Sequence, residues 1–591
     1  MKEFVKTMLA VICAFVVMRI LVFFLFIFAF AGALVSGGGS SSSIPKEGVL
    51  DINMSEFEVV EQSQEYAMPN FSMSGMTLPE TQVGLMDAVS AIEAAAADPG
   101  VKYILLRPEH SGIGLAHAEE FRAALKEFRR SGKPVIAWLE APGNGSYYLA
   151  TVADKIYLSS YHGYTYQLLG LATQMMFVKD ILDKLGVNVQ LIRHGKYKSA
   201  GEMFIRSSAS AENREQNQVM INSAWKTFSG AISEARNMSE ATFNSIVDNL
   251  GLVLPEDFLK AGLVDDIMTR EELVTKLCAL AGVEKEDDLK LIPFSGYIQN
   301  KVKPALKANV AVIFADGEIV DDTEDLENIS GDRFVKEINK VAKNDAIKAV
   351  VLRVNSPGGS VSASVKIRTA LDSLMARKPL VASFGNYAAS GGYWISNGCE
   401  KIYADANTIT GSIGVFSMIP EFSKTTKKIG VNFETVGSNK HSDMFSLMRP
   451  FDAEELKYMH SSIEDIYEGF VNLVADGRKM APSAVDAIAQ GRVWMGSDAL
   501  NIGLVDEIGT LKDAIVYAAG LAGISPDEYK VASYPAPLTF AQMILESLGE
   551  DKSPSILAGT PFEGLDKEVN SVVSGKPGKP MARMPYAYDI K

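Results

Sequence analysis

Apolar residues dominate the first 35 positions of the chain. From Met8 to Val35 the only charged residue is Arg19. A helix needs about 20 apolar residues to cross ~30 Å of hydrocarbon. Ile20–Val35 is slightly short for this, so we expect Arg19 to reach the inner interface and draw part of the preceding apolar stretch into the bilayer. The cations lie on the N-terminal side, which the positive-inside rule places in the cytoplasm. The pattern predicts a single-pass anchor in the inner (cytoplasmic) membrane, with the rest of the chain on the periplasmic, outer side.

A cleaved signal peptide is the alternative interpretation of this segment. Ala31-Gly32-Ala33 offers small residues for cleavage, but the apolar region of a signal peptide is expected to span only about 7–15 residues. The sequence therefore favours an uncleaved signal anchor. Glycines and serines at 37–43 follow as a flexible linker, so residues 1–45 are predicted to form a cytoplasmic tip, a transmembrane helix and a linker.

Beyond the linker the sequence repeats itself. VKYILLR at 101–107 resembles IKAVVLR at 347–353, and KIY at 155–157 recurs at 401–403. Further matches follow in the same order at a separation of about 245 residues, and repeats of this kind indicate duplicated structural units. We predict two tandem domains, at 46–295 and 296–540, followed by an extended C-terminal tail at 541–591.

Each half shows short apolar strands without alternation between apolar and polar positions. In the second half these are Val350–Val354 and Leu380–Phe384, with a predicted helix at Ser362–Met375 between them. Strands of this composition are covered on both faces, as in parallel sheets between helical layers. The fold class is therefore predicted as α/β.

Composition and charge narrow the range of functions. The 591 residues are 47% hydrophobic and 22% charged, which is typical of a folded protein. The net charge of −15 argues against nucleic-acid binding. Three cysteines cannot form a disulfide framework, and six scattered histidines show no metal-ligand spacing. We expect neither a metal nor an organic cofactor.

The two halves differ in the turns that follow their strands, where catalytic residues would be expected. After its first strand the second half has Asn355–Ser360 (NSPGGS), whose adjacent glycines let backbone N–H groups point at a ligand, as an oxyanion hole requires. It then has Ser390 among alanines and glycines at a predicted helix N-terminus. The equivalent position of the first half is Asn144, which cannot be a nucleophile. Ser390 is either an N-capping serine or a nucleophile in a small-residue turn, and the upstream Pro-Gly-Gly favours the nucleophile.

A serine nucleophile needs a base, and no histidine of the second half has an obvious orienting carboxylate. A lysine can serve if desolvation lowers its pKa by about 3 units, a cost of about 4 kcal/mol. Lys196 and Lys198 follow an apolar strand at Val189–Ile192 in the first half, and Lys198 has small and aromatic neighbours. Either lysine could also be an ordinary solvated loop residue.

These features together resemble the signal peptide peptidase A (protease IV) family in its long, membrane-anchored form. The stretches that carry the resemblance are YAASGGYWIS at 387–396, YKSA at 197–200, TGSIGV at 410–415 and GRVW at 491–494. The resemblance implies tandem domains of the caseinolytic-protease/crotonase type and a serine peptidase with a Ser/Lys dyad. It also implies a homotetramer that hydrolyses cleaved signal peptides and other apolar or unfolded peptides.

The resemblance also assigns roles by position. Ser390 is similar to the nucleophile and Lys198 to the general base, and each site combines the Lys-bearing first half with the Ser-bearing second half. The N–H groups of Gly359 and Gly391 correspond to the oxyanion donors. Tyr387 and Ser412 are expected to line the substrate cleft.

Three alternatives stay open at this point. Lys440 occupies the region of the second half equivalent to the Lys198 loop and is a rival base; our hypothesis is that it faces Asn144 of a neighbouring domain. A crotonase-like acyl-CoA enzyme would have the same fold but would be separated from its substrate by export. A catalytically silent membrane scaffold would be expected to lack part of the catalytic motifs, but nothing is missing from the Ser390 and Lys198 motifs.

Overall fold

The computed structural model describes residues 18, 44–63, 70–72, 75–77, 81–303, 305, 307–321, 328–536 and 579–584. Across these residues, none of the helices combines the length and apolar character that a membrane crossing requires. The predicted anchor, apart from Met18, and most of the C-terminal tail lie outside the described residues. The anchor therefore stays a prediction.

The first half of the chain contains eleven of the described strands. They are β1 (Gly48–Asn53), β2 (Glu58–Val60), β3 (Asn70–Ser72), β4 (Gly75–Thr77), β5 (Gln82–Gly84), β6 (Val101–Arg107), β7 (Val135–Leu139), β8 (Lys155–Ser159), β9 (Asn188–His194), β10 (Asp266–Met268) and β11 (Leu291–Pro293). Six of them form a parallel sheet in the order β10-β8-β7-β6-β1-β11.

Helices surround this sheet. They are α1 (Leu85–Ala97), α2 (Leu115–Arg130), α3 (Asn144–Ala150), α4 (Lys179–Leu185), α5 (Glu202–Ile205), α6 (Ala211–Ala235), α7 (Glu240–Asp248), α8 (Pro255–Lys260), α9 (Arg270–Ala281) and α10 (Phe294–Lys301), with a 3₁₀ turn at Glu286–Asp288. Apolar side chains of α1 and α2 pack on one face of the sheet and those of α9 on the other.

The second half repeats this plan around a larger sheet. Its strands are β12 (Val310–Asp316), β13 (Ile319–Val320), β14 (Ile329–Ser330), β15 (Ala349–Ser356), β16 (Gly358–Ser360), β17 (Leu380–Ala389), β18 (Ile402–Ala404), β19 (Ile409–Gly411), β20 (Val415–Glu421), β21 (Val493–Met495), β22 (Glu507–Ile508) and β23 (Val531–Tyr534), and the tail contributes β24 (Met581–Arg583). The main path of the eight-stranded sheet is β21-β19-β17-β15-β12-β23, and all its pairs are parallel except β19 with β21.

The helices of the second half take corresponding places. They are α11 (Gly331–Lys343), α12 (Val361–Met375), α13 (Gly391–Ser396), α14 (Ser423–Lys428), α15 (Ala453–Arg478), α16 (Pro482–Ile488), α17 (Gly496–Asn501) and α18 (Leu511–Leu521). Apolar side chains of α11 and α12 cover one face of the sheet and those of α18 cover the other. Because both faces are covered, β12 is buried at every residue from Val310 to Ala315. The α/β class is confirmed.

The duplication is visible in single buried contacts. The hydroxyl of Tyr147 on α3 donates to the Leu263 carbonyl at 2.5 Å. In the same way, the hydroxyl of Tyr393 on α13 donates to the Leu504 carbonyl at 2.8 Å. Both tyrosines are fully buried, so each half fixes the helix after its central strand in the same way. The exact domain boundaries stay a prediction.

The predicted elements of the second half are shorter than the observed ones. The strand predicted at Leu380–Phe384 runs on to Ala389, because its last residues pair with β19 in the register Tyr387↔Ile409 to Ala389↔Gly411. This extension brings the strand to its end directly before Ser390.

A third sheet joins the two halves. Its order is β14-β13-β16-β24-β20-β9, so that β9 of the first half pairs with β20 of the second. The pairing is antiparallel over seven positions, from Val415↔His194 to Glu421↔Asn188. Because Lys198 follows the end of β9 and Ser412 precedes the start of β20, this register brings the two residues together.

Candidate active site

Ser390 lies in the turn between β17 and α13. Its backbone is at φ +54° and ψ −112°, a conformation that costs a residue with a side chain of order 1–3 kcal/mol. Hydrogen bonds on both sides hold it there, from Ser390 N–H to the carbonyl of Gly411 (2.8 Å) and from Trp394 N–H to the carbonyl of Ser390 (2.7 Å). Its hydroxyl makes no capping hydrogen bond to α13, so the geometry does not support the N-cap interpretation.

Lys198 contacts this serine within the same chain. Its Nζ lies 2.8 Å from Ser390 Oγ, 3.0 Å from the Ser412 carbonyl oxygen and 3.0 Å from Ser412 Oγ. The three residues are fully buried. Burial lowers the pKa of Lys198 well below its usual value. A neutral amine has two N–H donors and one lone pair, so it can donate to both Ser412 oxygens and accept the Ser390 hydroxyl proton.

The loop that carries Lys198 is held from both halves. Arg193 of β9 donates to the Lys198 carbonyl at 2.6 Å, and Gln216 of α6 donates to the Tyr197 carbonyl at 3.2 Å. From the second half, the Gln490 carbonyl accepts from Tyr197 N–H at 2.9 Å. The position of the amine is therefore set by hydrogen bonds to the backbone around it.

Gly491 explains part of the GRVW stretch. Its φ is +78°, and a Cβ on it would lie 2.5 Å from Lys198 Cβ and 2.6 Å from Lys198 N. Only glycine fits such a close approach at this backbone angle. The sequence analysis recognised the GRVW stretch but assigned no role to Gly491.

The two rival lysines lie elsewhere. Lys196 is exposed, with its Nζ 5.2 Å from the centre of the Tyr197 ring. Lys440 is exposed and pairs with Glu454 at 2.7 Å, and this hydrogen bond raises the pKa of Lys440. A protonated lysine cannot accept a proton, so the geometry favours Lys198 as the base.

Gly359 and Gly391 lie on neighbouring pieces of backbone beside Ser390. Gly359 is in β16 and Gly391 is the first residue of α13. Gly358, which precedes the first of them, has φ +97°, and a Cβ on it would lie 2.6 Å from Gly391 N. The absence of a side chain at Gly358 therefore allows β16 to approach the start of the helix closely.

Of the two residues expected to line the cleft, Ser412 is the one in contact with the dyad, through both of its oxygens. Tyr387 is half-buried on β17 and packs against an apolar cluster that includes Met584 of the tail. The structure thus brings Ser390, Lys198 and Ser412 into direct contact and packs Tyr387 against this apolar cluster.

The described part of the tail lies against the glycine strand. β24 pairs antiparallel with β16 in the register Gly358↔Arg583 to Ser360↔Met581, and on its other side with Phe416 of β20. Met584 N–H also donates to the Pro357 carbonyl at 2.7 Å. The extended tail was predicted, but its place between these two strands was not.

A buried charge cluster beneath the site was also missed. Arg353 of β15 is fully buried and pairs with Glu61 and Glu120 of the first half at 2.6 Å each. Burial acts to raise the pKa of Glu61, but Arg353 and His117 outweigh it and lower the pKa to about 2. The available signal was a single arginine inside Val350–Val354, whose other residues are apolar.

Comparisons with known proteins agree on one family. The sequence matches Peptidase family S49 at residues 127–284 and 372–525, one region in each half. Protease 4 from Haemophilus influenzae is 36% identical over 83% of this chain and 82% of that protein. Protease 4 from Salmonella typhi is 36% identical over 87% of this chain and 84% of that protein. The chloroplastic serine protease SPPA from Arabidopsis thaliana is 31% identical over 80% of this chain and 70% of that protein.

These matches identify the class of protein as a serine peptidase. The chain belongs to Peptidase family S49. A solved ClpP1 mutant from Listeria monocytogenes aligns with 34% of this chain and 94% of its own at 15% identity, with a TM-score of 0.24, a score too low to support an argument about the fold.

Proposed function

We propose that the chain is a membrane-anchored serine endopeptidase in which Ser390 is the nucleophile and Lys198 the general base. The observation that carries this proposal is the 2.8 Å contact between Lys198 Nζ and Ser390 Oγ, with both residues fully buried. Burial lowers the pKa of Lys198, which favours the neutral amine that can accept a proton.

In the first step, Ser390 Oγ attacks a peptide carbonyl while its proton passes to Lys198 Nζ. The oxyanion accepts hydrogen bonds from the N–H groups of Gly359 and Gly391, which are fixed before the reaction begins. Ser412 holds the amine through its two oxygens, so the lone pair stays directed at Ser390.

In the second step, the lysinium protonates the leaving amine and an acyl-enzyme remains. Water then enters, loses a proton to the neutral Lys198 and releases the acyl group as a carboxylate. Ser390 and Lys198 return to their starting states, so the cycle needs no metal or organic cofactor.

The substrates we propose are cleaved signal peptides and other apolar or unfolded peptides. The slot between β16 and β20 accepts an extended strand, as the pairing of β24 demonstrates, and an unfolded chain can supply one. The apolar segment before residue 35 would hold the site beside the periplasmic face of the inner membrane, where such peptides accumulate. We further propose tandem caseinolytic-protease/crotonase-type domains and a homotetramer.

The test uses the full chain and a fluorogenic peptide. We expect Ser390→Ala and Lys198→Met each to lower kcat by about 10³-fold or more, and Lys440→Ala, the matched lysine control, to leave it within about twofold. Wild-type enzyme but not Ser390→Ala should react with a fluorophosphonate probe.

The results that would overturn the proposal are distinct. Hydrolysis that survives Lys198→Met but not Lys440→Ala would move the base to Lys440. Absence of both labelling and hydrolysis would favour the silent scaffold, and hydrolysis of acyl-CoA in place of peptides would favour a crotonase-like enzyme.

A further inference from the structure

Glu202 is a buried carboxylate that follows Lys198 by four residues. It is the first residue of α5, and its side chain is fully buried. Its Oε1 accepts hydrogen bonds from Arg193 at 3.2 Å and from the Ser210 hydroxyl at 2.8 Å. Its Oε2 accepts from Ser210 N–H at 3.2 Å and from Asn213 Nδ2 at 3.1 Å. Burying a charge is costly unless it is paired and hydrogen-bonded, and here both oxygens of the carboxylate have partners.

Arg193 links this carboxylate to the loop that carries Lys198. Its Nη1 donates to the Lys198 carbonyl at 2.6 Å, and its Nη1 and Nη2 both lie 3.2 Å from Glu202 Oε1. A guanidinium is planar and its donors form a rigid fork. Once Glu202 holds one part of the fork, the direction of the hydrogen bond to the Lys198 carbonyl is set as well. The backbone of Arg193 is fixed too, because β9 pairs with β20 at Arg193↔Phe416.

The turn between Lys198 and Glu202 is tight. Glu202 N–H donates to the Ser199 carbonyl at 3.0 Å. Gly201 has φ +85°, and a Cβ on it would lie 2.6 Å from Met418 Sδ of β20. Because the turn is closed by its own hydrogen bond and packed against β20, a displacement of Glu202 moves the backbone of Lys198 with it.

The carboxylate is directed at the backbone of the loop and not at the amine. Within the described part of the chain, Lys198 Nζ forms its hydrogen bonds with Ser390 and Ser412. A carboxylate in contact with the amine would raise its pKa, whereas burial lowers the pKa of Lys198. Because Arg193 pairs with Glu202, the loop is anchored without an unpaired negative charge beside the base.

We propose that Glu202 is a positioning residue for Lys198: its buried carboxylate holds Arg193, and Arg193 holds the Lys198 carbonyl. The inference deepens the proposed function and rests on it. Without the carboxylate the loop loosens, so the amine moves away from Ser390 Oγ and water reaches it. Both consequences fall on the chemical step, and neither changes the slot between β16 and β20.

Glu202→Gln in the full chain tests the proposal. A glutamine amide has one acceptor oxygen and one NH₂ donor group, so it can accept on the Arg193 side or on the Asn213 side but not on both. We expect kcat per active site on a fluorogenic peptide to fall by about 10- to 100-fold, with KM unchanged. Because burial is what lowers the pKa of Lys198, the acid limb of kcat/KM should also move to higher pH. A fluorophosphonate probe counts the active sites.

Glu455 on α15 provides the matched control. Its side chain is 1% exposed and pairs with Arg449 at 2.7 Å, much as the fully buried Glu202 pairs with Arg193. Glu455→Gln should lower Tm but leave both kcat per active site and the acid limb at their wild-type values. Equal changes in the two variants would overturn the proposal, because the loss of any buried acid–arginine pair would then have the same effect.

The route through Arg193 is tested by a double-mutant cycle. If Glu202 acts through Arg193, the double variant Arg193→Met/Glu202→Gln should have a kcat no lower than that of the poorer single variant. Losses that multiply in the double variant would overturn this route, since the two side chains would then act independently.

A second carboxylate can replace the first. Asn213→Asp in the Glu202→Gln background places an acceptor where Asn213 Nδ2 now donates at 3.1 Å, so the glutamine can donate to it and keep its oxygen for Arg193. This double variant should recover most of the lost kcat. Recovery of Tm without recovery of kcat would show that the carboxylate only stabilises the fold, and would overturn the positioning role.

Ser210→Ala keeps the proposal testable if Glu202→Gln does not fold. It removes the 2.8 Å hydrogen bond to Glu202 Oε1 together with the N-cap of α6. Ser239→Ala, which removes the N-cap of α7, is its control. Only Ser210→Ala should lower kcat and move the acid limb, and a wild-type kcat and pH profile in Ser210→Ala would count against the proposal.

Wild-type enzyme separates this inference from the proposed function. If it hydrolyses the peptide and reacts with the fluorophosphonate while folded Glu202→Gln matches it in kcat and in pH profile, the positioning role is wrong and the peptidase stands. If wild-type enzyme shows neither hydrolysis nor labelling, the proposed function itself fails.

Discussion

Substituting Gly491 by alanine tests whether the backbone around Lys198 sets the rate. An alanine Cβ would lie 2.5 Å from Lys198 Cβ, whereas carbon atoms in contact are normally about 3.5–4.0 Å apart. The loop must therefore shift by about 1 Å, and a displacement of this size can cost about 10²-fold in rate. The left-handed backbone adds a stability cost of about 1–2 kcal/mol.

Gly430 is the matched control for this substitution. Its φ is +79°, against +78° for Gly491, but a Cβ there would meet nothing within 4 Å. Both alanine variants should lose stability in thermal unfolding because both backbones are left-handed, and Gly491→Ala should lose more because its Cβ also collides with Lys198. Only Gly491→Ala should lose activity, and the loss should fall on kcat, because the substrate slot between β16 and β20 is unchanged.

The measurement is kcat and KM on a fluorogenic peptide, together with Tm for each variant. A Gly491→Ala enzyme with wild-type kcat would refute the argument, because Lys198 would then tolerate displacement. Equal losses of kcat in the Gly491 and Gly430 variants would refute it too, since backbone strain alone would account for the effect.

Three further predictions follow from the same contacts. Because burial lowers the pKa of Lys198, kcat/KM should fall as the pH drops through that lowered pKa, and a flat pH–rate profile would contradict a lysine base. Lys198 keeps its proton to a higher pH in the unfolded chain than in the folded one, so its burial lowers the stability of the fold at pH values below the usual lysine pKa. Lys198→Met should therefore be inactive yet show a higher Tm at pH 7. An unchanged Tm at every pH would be inconsistent with a neutral amine. Ser412→Ala removes one partner of the amine at 3.0 Å and should lower kcat by about tenfold with KM unchanged; an unaltered kcat would exclude a positioning role.

The internal repeat alone led to a prediction of which half carries the serine of the proposed dyad. The repeat aligned Asn144 with Ser390, so the first half was predicted without a structure to lack the serine. The apolar strands without alternation predicted the layered α/β fold. A strand that is buried on both faces is apolar at nearly every residue, so this signal is visible in the local sequence.

What the sequence did not predict depends on contacts between distant segments. The meeting of Lys198 with Ser390 was expected only through the resemblance to a family. It requires β9 to pair with β20, and a pairing over more than 200 residues leaves no local signal in either strand. Ser412 was named only through the resemblance to a family. Gly491 carries no signal of its own as one glycine among 48, because its importance comes from Lys198 lying against it.

The tail strand illustrates the same limit. Met581–Arg583 is only three residues long, too short for periodicity to mark it as a strand. Its conformation comes from its partners β16 and β20, whose free edges it covers. A segment of this kind becomes predictable only when the slot that receives it is known.

In the proposed mechanism the two halves supply complementary parts of one site. At the position that the repeat aligns with Ser390, the side chain of Asn144 holds a loop, accepting from Leu169 N–H at 3.1 Å and donating to the Gly170 carbonyl at 2.8 Å. Where the first half has its buried amine, the second half has Lys440, which is exposed and paired with Glu454. Restoring a serine at Asn144 alone would therefore give no second active site, because the loop would lose its hydrogen bonds and the only equivalent lysine is charged. Asn144→Ser should leave a Ser390→Ala enzyme inactive, and any hydrolysis by that double variant would show that the first half kept a working base.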